Sequence, residues 1–273
     1  MKNLILLSII TIGIDESEIL ESLQPIKSIL GIPDIESIIV TPNYDLDFQQ
    51  SLPFSRFIQD PGLGVYPAMN TGLRCANGSY VWFLNAGDKC LLDHNSILSL
   101  LEILRKNLHL SDSKKLLPII IFNSRIFRTS YANCLSSFLL KCSLFSLGMP
   151  ISHQNILIPL SIHKLFSLDY SYCSDYHLFV DLVFNSGSLT TFSNLNLSCL
   201  RPGGISDINR LHVFYERFCV MSSLFPKPYS LVFFVFCGTR IFRELVARFL
   251  KKIFSYLAFV SSQVSYFLFY SRS

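Results

Sequence analysis

The stretch Pro61–Asp88, PGLGVYPAMNTGLRCANGSYVWFLNAGD, constrains the fold more than any other part of the chain. It runs from a glycine-rich turn through a helix of small residues into an apolar strand, Tyr80–Leu84, and ends on a lone carboxylate, Asp88. An acid at the exit of a buried strand stands at the carboxyl edge of a sheet, where open α/β sheets bind their ligands. Ala86 and Gly87, just before it, let a bulky ligand approach the backbone. The best use for such an acid is to hold a divalent cation against a diphosphate. The plainer alternative is an acid that closes a turn or caps a helix.

The surrounding pattern alternates. Leu4–Ile12 is a near-continuous apolar run suited to a strand buried on both faces. Asp15–Leu30 reads as a helix, with Asp15, Glu16 and Glu18 at its positive end and Pro25 shortening or kinking it. Strands are predicted over Ile35–Val40, Arg56–Gln59 and Tyr80–Asn85, with the helix Val65–Asn77 between the last two. Beyond them, helices are predicted over Asp93–Leu108, Tyr131–Leu147 and Asp175–Asn185, and strands over Pro118–Phe122, Gly187–Phe192 and Leu195–Leu200. Ile151–Pro159 holds a further short strand. Such alternation argues an α/β fold with a mostly parallel central sheet flanked by helices.

The charge is unevenly placed. Residues 1–110 carry twelve acids against seven bases, and the positive excess lies in the rest, mainly from Arg201 onward. Half of the 273 residues are apolar and only 15% are charged, which suits a membrane surface or a greasy partner. Arg240, Arg243, Arg248, Lys251 and Lys252 share one side of a helical pattern, with Phe242, Leu245, Val246, Phe249 and Ile253 on the other. A basic amphipathic helix of this kind fits an anionic bilayer surface better than nucleic acid. Ile253–Tyr270 is uncharged but near the lower limit for a spanning helix. The chain therefore divides into a core over 1–206 and a helical, membrane-associating appendage over 207–273. The eight cysteines form no CxxC pair, so no zinc site is signalled, and reduced thiols in the cytoplasm are expected.

Other residues have the chemistry for a site. Asp175, in Cys173–Leu178 (CSDYHL), opens a helix, where an acid serves either as an ordinary cap or as a base beside a hydroxyl. His177 is a second possible base. His153 and Gln154 offer donors and acceptors to hydroxyl groups. Asn70 and Arg74 lie one helical turn apart and share a face, with the guanidinium suited to a diphosphate and the amide to a ribose or sugar hydroxyl.

These segments resemble the family 2-like glycosyltransferases of the GT-A fold, and among them enzymes that build bacterial surface polysaccharides. The resemblance rests on Gly64–Gly72 (GVYPAMNTG), Ala76–Tyr80 (ANGSY), Asn85–Asp88 (NAGD), the His153-Gln154 pair, Ser174-Asp175-Tyr176 and Gly203–Ser206 (GGIS). It implies a GT-A (Rossmann-like) domain and an inverting, metal-dependent enzyme of hexosyltransferase type. Such an enzyme moves a sugar from a nucleotide-sugar to a glycan or polyprenyl-linked acceptor, as in lipopolysaccharide assembly. It also implies Asp88 as ligand of Mn2+ or Mg2+, Asp175 as base, and Asp45, Asn70, Arg74, Asn85, His153 and Gln154 as donor or acceptor contacts. The expected location is cytoplasmic, peripheral on the inner face of the membrane. The chain also departs from the family. Ala86 stands where a second acid is common, Pro67 stands where another is, and no D-(D/G)-G-S-x-D string follows the second strand, leaving Asp45 or Asp47 to substitute. These departures keep open a catalytically inactive, membrane-attached relative that acts through its partners.

Overall fold

The computed structural model describes residues 4–111, 117–122, 140–141, 144, 149, 151–185, 190–199, 201 and 208–226. Its strands are β1 (Leu7–Ile12), β2 (Ile35–Thr41), β3 (Ser55–Gln59), β4 (Tyr80–Phe83), β5 (Lys89–Cys90), β6 (Ile119–Phe122), β7 (Ile156–Pro159), β8 (Thr190–Ser193) and β9 (Ser198–Cys199). Seven of them form one sheet in the order β3-β2-β1-β4-β7-β6-β8, and β5 pairs with β9 separately. All neighbours in the large sheet run parallel except at β7, which is antiparallel to both β4 and β6. The chain winds from β1 outward to β2 and β3, then returns across β1 to β4. That reversal places the switch point of the sheet between β1 and β4.

Local chemistry sets the element ends. Asp15 caps α1 (Glu16–Leu23), its carboxylate accepting the Ser17 N–H at 2.7 Å. The expected helix to Leu30 is instead cut at Leu23, where Pro25 opens a 3₁₀ segment, Gln24–Ile29. A short helix that the sequence did not announce, α2 (Leu46–Ser51), follows β2 and is capped by Asp45, which accepts the Phe48 N–H at 2.8 Å. Helix α3 (Val65–Cys75) starts after Gly64, whose φ of 105° suits glycine. Helix α4 (His94–Ser111) is capped by Asp93, as expected. Helices α5 (Ser174–Phe184) and α6 (Arg210–Leu224) complete the described set.

One face of the sheet is filled from α1 and α4, where Ile19, Leu23, Leu100 and Leu104 pack with Trp82 and Ile120, all essentially inaccessible. The other face takes α3, seated so closely that a Cβ on Gly72 would collide with Ile10. Residues Met1–Val220 make one compact unit and Met221–Ser273 a second. The basic amphipathic stretch 240–253, the apolar stretch 253–270, the Gly203–Ser206 turn and most of the predicted helix Tyr131–Leu147 lie outside the described residues. Among the described residues, no helix is long and apolar enough to cross a membrane.

Candidate active site

The site follows from the direction of β7. Because β7 is antiparallel to β4, with Tyr80 opposite Pro159 and Val81 opposite Ile158, its first residues lie level with the end of β4. The 3₁₀ turn His153–Asn155 that leads into β7 therefore meets the loop Asn85–Asp88 that leaves β4. The Trp82 indole locks the two together by donating to the Gln154 carbonyl at 2.8 Å. At the neighbouring exit of β1, a Cβ on Gly13 would collide with the Ala86 Cβ. The small residues here thus serve close packing of two strand exits. Gly87 turns the chain toward Asp88 with φ of 86°.

Asp88 is held at both oxygens. Oδ1 accepts the Arg201 backbone N–H at 2.7 Å, and Oδ2 accepts from the Gln154 side-chain amide. Asp175 enters from the first turn of α5. Its Oδ1 accepts the Tyr66 hydroxyl at 3.0 Å and the Tyr176 N–H at 2.8 Å, and its Oδ2 lies 3.3 Å from His153 Nδ1. The other His153 nitrogen, Nε2, is 3.3 Å from the Asn85 amide nitrogen. The dipeptide His153-Gln154 therefore bridges the two acids, the histidine on Asp175 and the glutamine on Asp88.

The electrostatics keep Asp175 ionised. Burial pushes its carboxyl upward, but the hydrogen bond and charge of His153, the Tyr176 N–H and the Tyr66 hydroxyl together hold it below the ordinary carboxylate value. Burial first, and the Asp175 charge second, drive the Tyr66 phenol far upward, so it stays a proton donor. The Asp175 side chain keeps 20% of its surface open and His153 keeps 26%, so both are open to solvent. Two amide oxygens beside the acids, Asn85 Oδ1 and Gln154 Oε1, are buried and take no hydrogen bond from the described residues. Buried acceptors of this kind are costly unless something donates to them.

The remaining expected residues fall elsewhere. Asn70 is buried and engaged through both ends of its amide, donating to the Phe166 carbonyl at 2.9 Å and accepting the Phe166 N–H at 2.8 Å. It staples the loop before α5 to α3, and at 2% exposure it presents almost no surface to a ribose or sugar hydroxyl. Arg74 lies in the last turn of α3, beside the start of β4, at the amino edge of the sheet and so opposite Asp88. Helix α3 runs from the carboxyl edge to the amino edge, so only its beginning reaches the site, and Asn70 is buried where Arg74 is exposed. Tyr66, at that beginning, is the contact to Asp175 that sequence reasoning did not single out. Its position just after Gly64, at the start of the helix, was the available signal. Asp45 stands exposed at the exit of β2 as the cap of α2. His177 sits against Tyr170 with ring centroids 5.2 Å apart, and burial lowers its pKa.

The donor set fits one kind of metal. Among the described residues, no three His, Cys, Asp or Glu side chains converge on a point. The β4 exit offers the single carboxylate of Asp88, each oxygen with one donor and one lone-pair direction to spare. That suits Mg2+ or Mn2+, which take one or two carboxylates and fill other positions with phosphate oxygens and water. It does not suit a structural zinc site.

No protein-family model and no curated protein matches this chain. Solved structures do. TarS 1-349 of S. aureus matches with a TM-score of 0.54 at 10% identity, over 83% of this chain and 68% of that one. The same protein in complex with UDP-GlcNAc gives 0.53 at 11% identity, over 83% and 69%. Glucosyl-3-phosphoglycerate synthase from Mycobacterium tuberculosis, in complex with Mg2+ and UDP, gives 0.51 at 14% identity, over 80% and 78%. These neighbours are GT-A glycosyltransferases. At such identities the likeness establishes the fold, and the chain has the GT-A fold.

Proposed function

We propose that this protein is an inverting glycosyltransferase of hexosyltransferase type. It moves a sugar from a nucleotide-sugar donor to a glycan or polyprenyl-linked acceptor in cell-surface polysaccharide assembly, lipopolysaccharide included. The observation that carries this reading is that Asp88 and Asp175, far apart in sequence, meet at opposite ends of one dipeptide, His153-Gln154. The neighbours support the donor class, since TarS has been crystallised with UDP-GlcNAc and the mycobacterial synthase with Mn2+, UDP and phosphoglyceric acid.

Asp88 would hold Mn2+ or Mg2+, which would supply positive charge against the departing nucleoside diphosphate. Gln154 and the Arg201 backbone keep the Asp88 carboxylate aimed. Asp175 takes the proton of the acceptor hydroxyl as that oxygen bonds to the anomeric carbon. Attack comes from the face opposite the diphosphate, whose bond to the sugar breaks with its electron pair leaving on the phosphate oxygen, so the configuration inverts. Tyr66 and His153 hold Asp175 in place and in its charged form. The half-buried side chains of Asn85 and His153 offer hydrogen bonds to hydroxyls of the sugars, Gln154 is buried and acts by holding Asp88, and Asp45, at the exit of β2, contacts the nucleotide. The basic, oily residues after 207 hold the enzyme on the inner face of the membrane, and deletion after Pro228 moves it to the soluble fraction.

A panel of nucleotide-sugars incubated with purified protein tests the reading. We expect slow, Mn2+-dependent release of one nucleoside diphosphate, lost with EDTA. Replacing Asp175 by Asn lowers it 10²-fold or more, the scale of a lost general base. No binding and no release with any nucleotide would instead favour the inactive, membrane-attached relative.

A further inference from the structure

The geometry points to Arg201 as the cationic side chain that grips the donor diphosphate, held in reserve on Glu18 and Glu21 until the donor arrives; this rests on the glycosyltransferase reading above. The need for such a residue is electrostatic. The carboxyl edge near Asp88 is rich in acids, with Asp15, Glu16, Glu18 and Glu21 on or before α1. A nucleoside diphosphate brought there meets like charge. Arg74, the cation expected to answer it, stands at the opposite edge.

Arg201 is in the right place. Its backbone N–H donates to Asp88 Oδ1, so a ligand held at Asp88 is adjacent to residue 201. Its guanidinium reaches α1, with Nη1 3.1 Å from Glu18 Oε1 and Nη2 2.9 Å from Glu21 Oε2. Glu18 in turn lies over the turn before Asp88, 3.5 Å from where a Cβ on Gly87 would stand. The guanidinium is therefore beside the Asp88 turn.

The present pairing is made to exchange. Arg201 is 50% exposed, and its partners are 45% and 68% exposed. Ion pairs so open to water contribute little. Each carboxylate here takes one nitrogen of the fork, whereas a diphosphate offers several oxygens to a planar guanidinium at once. Arginine leaves the weak partners for the strong one by rotating its side chain, while its backbone stays on Asp88.

The test is binding alone. Mn2+–UDP, and separately Mn2+ with inorganic pyrophosphate, are titrated calorimetrically into the full-length wild type, Arg201→Ala, Lys89→Ala as a charge-loss control, and the double variant Glu18→Gln/Glu21→Gln. Arg201→Ala should weaken both ligands about tenfold or more, the scale of a charge-assisted hydrogen bond, and Lys89→Ala much less. The double variant should tighten both about threefold or more, because the competitor for the guanidinium is gone. Unchanged affinity in Arg201→Ala, or weaker affinity in the double variant, overturns this role while leaving the enzyme reading intact. A wild type that binds neither ligand overturns both.

Discussion

The Tyr66 hydroxyl donates to Asp175 Oδ1 at 3.0 Å, joining the first turn of α3 to the first turn of α5. The bond favours the charged carboxylate and opposes the burial that would neutralise it. Tyr66→Phe removes the donor and little volume. We expect turnover to fall about tenfold with UDP affinity unchanged, and stability at neutral pH to drop by about 1–2 kcal/mol. Because the bond lowers the folded pKa of Asp175, its contribution is present above the ordinary carboxylate value and is lost as pH falls through the folded value. Chemical denaturation at pH 7 and at successively lower pH checks this, and the gap between the two proteins should narrow as pH falls below the ordinary carboxylate value.

That contact shows where sequence reading succeeds and where it stops. Asp88 and Asp175 were legible as local patterns, an acid after an apolar strand and an acid at a helix start, and His153-Gln154 through its resemblance to a family pair. What joins them was not legible. It depends on β7 running against β4, and a four-residue apolar strand such as Ile156–Pro159 carries no mark of its direction. The positions of Asn70, buried against Phe166, and Arg74, at the far end of α3, were not legible for a related reason. Helical spacing tells which residues share a face but not which end of the helix reaches the ligand edge. Helix α2 was missed because six residues hold too little periodicity, although its cap, Asp45, was picked out for another role.

The reassignment of Asn70 gives a second expectation. Asn70→Ala leaves the buried Phe166 N–H and C=O without partners, and we expect a loss of about 2–4 kcal/mol in unfolding free energy. Nucleotide affinity measured on the folded fraction should change little. Arg74→Ala should leave Mn2+–UDP affinity within about twofold of wild type. A tenfold loss in either variant would return that residue to the donor site.

His163 contributes to the acid side of stability. Burial between Phe83 and Phe166 lowers its pKa to about 4, partly offset by its hydrogen bond to the Lys164 carbonyl. The unfolded chain protonates this imidazole first, near its ordinary value of 6.5, so stability falls as pH drops from 6.5 towards 4. The full effect is up to about 3 kcal/mol. His163→Phe should flatten this part of the profile in thermal melts at pH 7 and pH 5. An equally steep decline in that variant would assign the effect to another group.

The central claim is that Asp88 grips a cation against the donor diphosphate in the same cleft that presents Asp175. Anomalous scattering from crystals soaked with Mn2+ and UDP tests it most directly. The account predicts a manganese peak bonded to the Asp88 carboxylate and to diphosphate oxygens, on the side of the His153-Gln154 bridge that opens toward Asp175. A peak at any other carboxylate, or UDP bound away from Asp88, would contradict it.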